Sequence, residues 1–468
     1  MDVRKKKVVI AGLGVSGLWT ARWLAGQGAV FTVSDRREKN QIGPALCDEI
    51  EGLGGRVETG GHSRSLFLNS DLVVLSPGVP HDMELFVQAR EKGIPIIGEM
   101  ELAFRIISGE TRERCGVRII AVTGTNGKST VTEFIGLLLK KAGADVFVGG
   151  NIGTPLMALA CQKRVPDYAV VEVSSFQLDT IQEFSPYISV CLNISPDHLE
   201  RYDSYSSYIN SKLRIFENQH KDQFSVLNDD DEVLSGFRAP EGVRELRYGM
   251  ARERRGPGGG KIKRDAFIGG DDCIVEIGPE KRHEFSLPGF SLPGIHNRSN
   301  LLSVVLAALC AGVDPEIIRE GIREFKGLRH RIEFVGEIKA IRYYDDSKAT
   351  NLDAAIKAVE CFDSKIVLIA GGRHKGADYK PLVDACLGNV KKAVFIGEAS
   401  ELLAEAFEGS IPYSMAGSME EAVYIASKAA APGEVVLLAP ACSSFDMFTD
   451  YAQRGTVFSQ AARRIADV

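Results

Sequence analysis

A lysine and two hydroxyls sit where phosphate chemistry would need them. In Ala121-Val-Thr-Gly-Thr-Asn-Gly-Lys-Ser-Thr130, the residues Gly124, Thr125, Asn126 and Gly127 lead into Lys128, Ser129 and Thr130. The apolar run 117–121 before them reads as a strand, and 131–139 after them as a helix. A glycine loop in that setting turns backbone N–H groups inward at a helix N-terminus, where phosphate oxygens accept them. Lys128 can reach the outer phosphates, and the Ser129 hydroxyl offers a ligand to magnesium. The general pattern asks for glycine where this chain has Val122, so the loop is a variant. The implied ligand is ATP, used through its terminal phosphate. The competing reading is a glycine-rich turn with an exposed lysine.

A second glycine loop opens the chain. Gly12-x-Gly14-x-x-Gly17 follows the strand-like 7–11, and Asp35 ends the next strand. This is the fingerprint of a dinucleotide site, but its physical content is a tight turn whose N–H groups meet a diphosphate. A nicotinamide cofactor or a UDP-sugar satisfies it equally. No dyad for hydride transfer stands out elsewhere.

Further segments carry chemistry in order: Gly149-Gly-Asn-Ile-Gly153, Glu172-Val-Ser-Ser-Phe-Gln-Leu178, Asn193-Ile-Ser-Pro-Asp-His-Leu-Glu-Arg-Tyr202, Ser211-Lys-Leu-Arg-Ile215 and Gly294-Ile-His-Asn-Arg-Ser-Asn300. They continue through Gly327-Leu-Arg-His-Arg-Ile-Glu333, Asp345-Asp-Ser-Lys-Ala-Thr-Asn351, Gly371-Gly-Arg-His-Lys375 and Ser443-Ser-Phe-Asp-Met-Phe448. Glu172 ends a strand beside the loop, so it and Ser129 can share one hard cation through oxygen. Taken alone, Lys212 reads as a solvated helix lysine and His198 as a turn residue. Asn300 reads as a helix N-cap. Lys375 reads as a loop charge and Ser444 as a helix cap.

The ordered set resembles the Mur ligases, the ATP-dependent amide ligases of peptidoglycan precursor synthesis, over the whole chain. The resemblance implies catalytic roles for Lys128, Glu172, His198, Lys212 and Lys348. It implies that Ser129, Glu172, His198 and Lys212 surround two magnesium ions (Mg2+). Lys212 would be carbamylated by CO2, which turns a cation into a carboxylate-like ligand. ATP would be held by residues 124–130 with Asn300, Arg331 and Asp346, and His330 and His296 would be structural neighbours or adenine-side contacts. Gly14, Val15, Ser16, Asp35, Arg36 and Gly78 would hold the uridine diphosphate end of the substrate, and Asn151 its sugar-peptide part. Thr350, Lys375, Ser444 and the backbone at Phe445 would hold D-glutamate. The implied reaction joins D-glutamate to UDP-N-acetylmuramoyl-L-alanine, in the cytoplasm, by a monomer. A Mur ligase using another amino acid and a nicotinamide-dependent oxidoreductase built on Gly12–Gly17 remain open.

Strands alternating with helices must position these groups, which means parallel sheets with right-handed crossovers. We expect an α/β fold of three domains. They are a Rossmann-like UDP-substrate domain (1–107), a central P-loop-type ATPase with a mixed sheet (108–327) and a Rossmann-like amino-acid domain (328–468). The charged, glycine-rich 250–261 reads as a surface loop, and 265–285 as a β-hairpin. A chain of 468 residues exceeds one core, and 44% hydrophobic with 25% charged residues is a globular composition. A net charge of −6 argues against nucleic acid as partner. The nine cysteines form no C-x-x-C pair and suit a reducing compartment. The run 301–313 is too short for a membrane span, so no membrane insertion is expected.

Overall fold

Runs rich in Val, Ile and Leu, buried on both faces, build three sheets. The computed structural model describes residues 2–109, 116–162, 164–197, 201–255, 261–277 and 281–465. The first sheet contains β1 (Lys7–Ala11), β2 (Val30–Ser34), β3 (Arg56–Glu58), β4 (Leu72–Leu75) and β5 (Ile96–Gly98). Its order is β3-β2-β1-β4-β5 and every pairing is parallel. The chain runs outward from β1 to one side, then returns to fill the other. The crevice above the carboxyl end of β1 is therefore the place for a ligand.

The central sheet has nine strands in the order β16-β15-β14-β11-β10-β9-β6-β8-β7. They are β6 (Arg118–Thr123), β7 (Val146–Gly150), β8 (Tyr168–Glu172), β9 (Ile188–Cys191), β10 (Phe224–Asn228), β11 (Arg244–Gly249), β14 (Ala266–Gly269), β15 (Asp272–Glu276) and β16 (Arg282–Ser286). Pairing is parallel from β7 to β14 and antiparallel from β14 to β16. The expected hairpin at 265–285 is thus three strands that extend this sheet.

The expected surface loop also differs. Its described arms pair as an antiparallel ribbon, β12 (Glu253–Arg255) with β13 (Lys261–Lys263). Asp229 accepts hydrogen bonds from Arg247, Arg254 and Arg264, which ties the ribbon to the end of β10. Three guanidiniums on one buried carboxylate need further counter-charge, and Glu245 and Asp230 supply it.

The third sheet runs β17-β18-β22-β19-β20-β21. Its strands are β17 (Glu333–Ile338), β18 (Ile341–Asp345), β19 (Ile366–Gly371), β20 (Val390–Ile396), β21 (Tyr413–Met415) and β22 (Val435–Leu438). Only the β17–β18 pairing is antiparallel. By contacts the chain forms two compact units, one of Met1–Ser286 with Asn300–Gly321 and one of Leu287–Ser299 with Ile322–Val468. Among the described residues no helix is long and apolar enough to cross a membrane.

The helix Glu99–Ile107 joins the first sheet to the central one through two buried glutamates. Glu101 accepts the N–H groups of Gln182, Glu183 and Phe184 and a hydrogen bond from Arg105, so its charge is satisfied. Glu99 accepts the Gln177 amide on Oε1 and is helped weakly by the Ser16 hydroxyl and the Met157 N–H, but its Oε2 has no partner at hydrogen-bond distance. Burial pushes this carboxyl up to about 7. In the unfolded chain it titrates near 4.5. Stability is therefore full below that value and is lost as pH rises through about 7. Glu99→Gln removes the ionisable proton but keeps the shape. It is expected to stabilise by on the order of 3 kcal/mol above about pH 8 and to change little at about pH 4. Urea melts of both proteins at the two pH values check this.

Candidate active site

The loop after β6 takes its shape from its two glycines. Gly124 has φ 151° and Gly127 φ 87°, a left-handed value next to the first residue of the helix Lys128–Lys141. A Cβ at position 127 would lie 2.6 Å from Asn300 Oδ1, so glycine is what lets that amide approach the loop. Asn300 is no N-cap: its helix, Ile295–Cys310, begins five residues earlier. Asn193, just beyond β9, clamps the loop, accepting from Asn126 N–H at 2.9 Å and donating to Asn126 O at 3.1 Å. From sequence alone Asn193 is one polar residue of a longer segment with no mark of its own. Its place after a strand beside β6 was the available signal.

Two lysines converge on this loop. Lys128 Nζ donates to the carbonyls of Gly124 and Thr125, both at 2.8 Å. Lys212 Nζ donates to the same Gly124 carbonyl at 2.9 Å and lies 4.8 Å from the centre of the Tyr208 ring. Lys212 is 2% exposed, so it is not the solvated helix lysine its sequence suggests. Burial and the facing Lys128 charge push its ammonium down to about 7. Among the described residues no carboxylate pairs with it.

Glu172, at the end of β8 and 2% exposed, accepts from Ser129 Oγ at 2.5 Å and from Asn151 Nδ2 at 2.8 Å. Carboxylate, hydroxyl and amide oxygens are the donors a small hard cation takes. This set therefore fits magnesium. His198 lies outside the described residues.

The six uridine-end candidates meet in one cleft. Gly14, Val15, Ser16, Asp35, Arg36 and Gly78 all line a cavity of about 550 Å3 above β1, together with Arg37, His62, Ser76 and Met83. Asp35 is occupied structurally. Its Oδ2 accepts from Leu13 N–H and Arg37 Nη2, and its Oδ1 from Arg37 N–H and Nε. Burial works to raise this carboxyl, but those hydrogen bonds outweigh it and hold it near 2. Both oxygens are filled, unlike those of a carboxylate kept for the ribose of a nicotinamide cofactor.

The remaining candidates belong to the second unit. Asp346 and Lys348 follow β18. Asp346 is buried, its carboxyl pushed up to about 7 by burial, which the nearby Arg331 charge only partly offsets. Lys348 Nζ lies 3.7 Å from the centre of the Tyr451 ring, and Thr350 N–H donates to Lys348 O. His330 is a positioning group here, its Nδ1 2.7 Å from the buried Asp345 Oδ2. His296, half-buried, lies beside Cys361. Ser444 is 2% exposed, Phe445 protrudes at 63%, and Lys375 is exposed yet close enough to act on the Cys442 thiol. Arg454 was not singled out from sequence and is fully buried. It donates to Ser347 Oγ, Ser347 O and Cys442 O, at 2.9, 2.9 and 3.1 Å. It thereby joins the turn bearing Asp346 and Lys348 to the one bearing Ser444.

Three consecutive stretches match known domains: the MurD-like N-terminal domain of Mur ligases over residues 6–98, the Mur ligase middle domain over 122–308 and the Mur ligase glutamate ligase domain over 330–442. A UDP-N-acetylmuramoylalanine–D-glutamate ligase from Acidobacterium capsulatum is 44% identical across 98% of this chain and 96% of its own length. The chain belongs to the Mur ligase family. A ligase of the same name from Desulfosudis oleivorans is 42% identical over 100% of this chain and 98% of itself. The solved pseudomurein peptide ligase type C of Methanothermus fervidus shares the fold at TM-score 0.60 and 20% identity, covering 98% of this chain and all of that one. The Thermotoga maritima UDP-N-acetylmuramate–alanine ligase does so at TM-score 0.58 and 20% identity, with the same coverage. As a Mur ligase the chain has a three-domain α/β fold and is an ATP-dependent amide ligase that works with magnesium. The oxidoreductase alternative is set aside.

Proposed function

We propose that this Mur ligase joins D-glutamate to UDP-N-acetylmuramoyl-L-alanine, releasing ADP and phosphate, as a cytoplasmic monomer of the peptidoglycan precursor route. The observation that carries the reading is the 44% identity, along nearly the whole chain, to a ligase of that name. The cleft above β1 supports it by gathering the six residues assigned to the nucleotide end. The three sheets support a division of labour over 1–107, 108–327 and 328–468.

A carboxylate is a poor electrophile, and its condensation with an amine in water is uphill. Transfer of the γ-phosphoryl group of ATP to the alanyl carboxylate gives an acyl phosphate. The amine of D-glutamate then attacks the carbonyl carbon, and phosphate leaves from the tetrahedral intermediate. Negative charge collects on phosphoryl oxygens, so fixed positive groups there lower the barrier. Lys128, whose ammonium lies on the Gly124 and Thr125 carbonyls, and the N–H groups of the 124–130 loop would serve that role. Magnesium, when bound, neutralises phosphate charge; Ser129 and Glu172 would hold one ion, and His198 with a carbamylated Lys212 a second. By the family resemblance Asn300, Arg331 and Asp346 would contact the nucleotide, and Lys348 would act on the phosphates and the intermediate. Asn151, bonded to Glu172, orients the sugar-peptide part. Thr350, Lys375, Ser444 and the Phe445 backbone receive the two carboxylates of the amino acid.

The test is phosphate release with UDP-N-acetylmuramoyl-L-alanine, ATP and a panel of amino acids. D-Glutamate is expected to support turnover at least about a hundredfold above L-glutamate, L-alanine and diaminopimelate. Release stimulated equally by another member of the panel would displace this assignment.

A further inference from the structure

The cleft above β1 contains an imidazole whose hydrogen-bonding sense is determined by its neighbours. β2 and β3 pair in parallel with Ser34 opposite Glu58. Ser34 Oγ lies 2.6 Å from Glu58 Oε2, 3.2 Å from Gly61 O and 2.8 Å from His62 Nδ1. The hydroxyl has one proton. Carboxylate and carbonyl oxygens only accept, so that proton must point toward them, and at 2.6 Å Glu58 takes it. Ser34 Oγ is then the acceptor for His62, and Nδ1 must be the protonated nitrogen. Burial holds the His62 imidazole below its usual value, with the Asp35 and Glu58 charges opposing, so the ring is neutral. Neutral imidazole with Nδ1–H has a lone pair on Nε2. The cleft therefore contains a fixed acceptor where an imidazole in water would interconvert.

Its place along the cleft follows from strand order. The diphosphate loop follows β1, Asp35–Arg37 follow β2, and His62 lies beyond β3, the outermost strand on that side. A nucleotide with its phosphates on the loop after β1 extends its base toward the ends of β2 and β3. Asp35, with four donors already on its two oxygens, has no capacity left for the base edge.

We infer that His62 is a specificity-determining residue that reads uracil by accepting its N3–H on Nε2, oriented by the Glu58–Ser34 relay. Cytosine carries a lone pair at N3 and is rejected at that point, because two acceptors face each other. This inference rests on the reading that the cleft takes the uridine end of the substrate, and the test separates the two.

Binding of UDP and CDP to the full chain is measured by calorimetry for the wild type, His62→Phe, Ser34→Ala and Val15→Trp, with thermal melts to establish folding. The wild type is expected to favour UDP over CDP by about tenfold or more, the worth of one well-placed hydrogen bond. His62→Phe should weaken UDP by about tenfold and bring the two ligands within about twofold. Ser34→Ala leaves the ring in place but frees its tautomer, so the preference should fall there too. A merely structural role for His62 would weaken both ligands equally. In protein labelled with 15N-histidine, the His62 Nε2 resonance should have the unprotonated shift, and this measurement needs no variant to fold. A UDP preference intact in folded His62→Phe, or a protonated Nε2, overturns the role of His62 while leaving the cleft assignment standing. Unchanged UDP binding in Val15→Trp, whose side chain fills the cleft, overturns the cleft assignment and the inference with it.

Discussion

Lys128→Ala is expected to abolish ADP formation when all three reactants and magnesium are present. The ammonium lies on the two loop carbonyls at the helix start, the position from which it meets phosphoryl oxygens as their charge grows. Removing one preorganised donor from such a site costs about 3–4 kcal/mol in the barrier, or about a thousandfold in turnover. A full positive charge in a water-poor site gives more. Steady-state phosphate release checks this, and a melt of the variant establishes that it folds. Turnover within about tenfold of wild type would remove the loop from the chemistry and, with it, the acyl-phosphate route.

Lys212→Arg should be nearly as damaging, for a different reason. Arginine keeps the charge and cannot form a carbamate. The amine of Lys212 is buried, faces Lys128 and shares the Gly124 carbonyl with it; among the described residues no carboxylate is within ion-pair distance, and Asp197 and Glu172 offset the Lys128 charge only in part, from farther away. A buried cation beside another cation is unfavourable, and conversion to an anionic carbamate reverses the sign of that interaction. Only a neutral amine attacks CO2, and an ammonium held near 7 supplies one at physiological pH. The wild type in 13C-bicarbonate should show a carbamate carbon signal that is missing in Lys212→Arg, and the variant should lose about a thousandfold or more in turnover. A variant that folds and retains activity would show that no carbamate is needed at this position.

The two expectations differ in how far sequence could support them. Lys128 was readable because its role depends on three local features in order: the apolar β6 run, the glycines and the helix that follows. Each is a short-range backbone preference. Glu172 was readable in the same way, as the last residue of a buried strand. The first glycine loop was legible as a diphosphate cradle but not as to which diphosphate, because N–H groups do not distinguish the bearer. Lys212 was legible only through resemblance. Its 2% exposure arises from Tyr208 and the Gly124 carbonyl, the latter 88 residues away in the chain.

Other errors had one physical source. The segment 250–261 reads as a loop because charge and glycine dominate there, yet the pairing of β12 with β13 and the anchoring of Arg254 on Asp229 make its described arms part of a ribbon. Asn300 was offered as an N-cap because the apolar run starts there. The helix begins earlier, at Ile295, with polar residues whose helical state single-sequence hydropathy does not signal.

By itself the amino-acid order determined the three α/β blocks, the two glycine turns at the carboxyl ends of β1 and β6, and the family to which the chain belongs. The blocks and turns depend on backbone periodicity and hydrogen bonds spanning a few positions. Tertiary structure alone decided the environments: the filled oxygens of Asp35, the tautomer of His62, the unpaired oxygen of Glu99 and the buried Arg454 that binds Ser347, 107 residues away. Charge state and hydrogen-bond direction are set by whichever atoms pack alongside, and packing brings together residues that are remote along the chain.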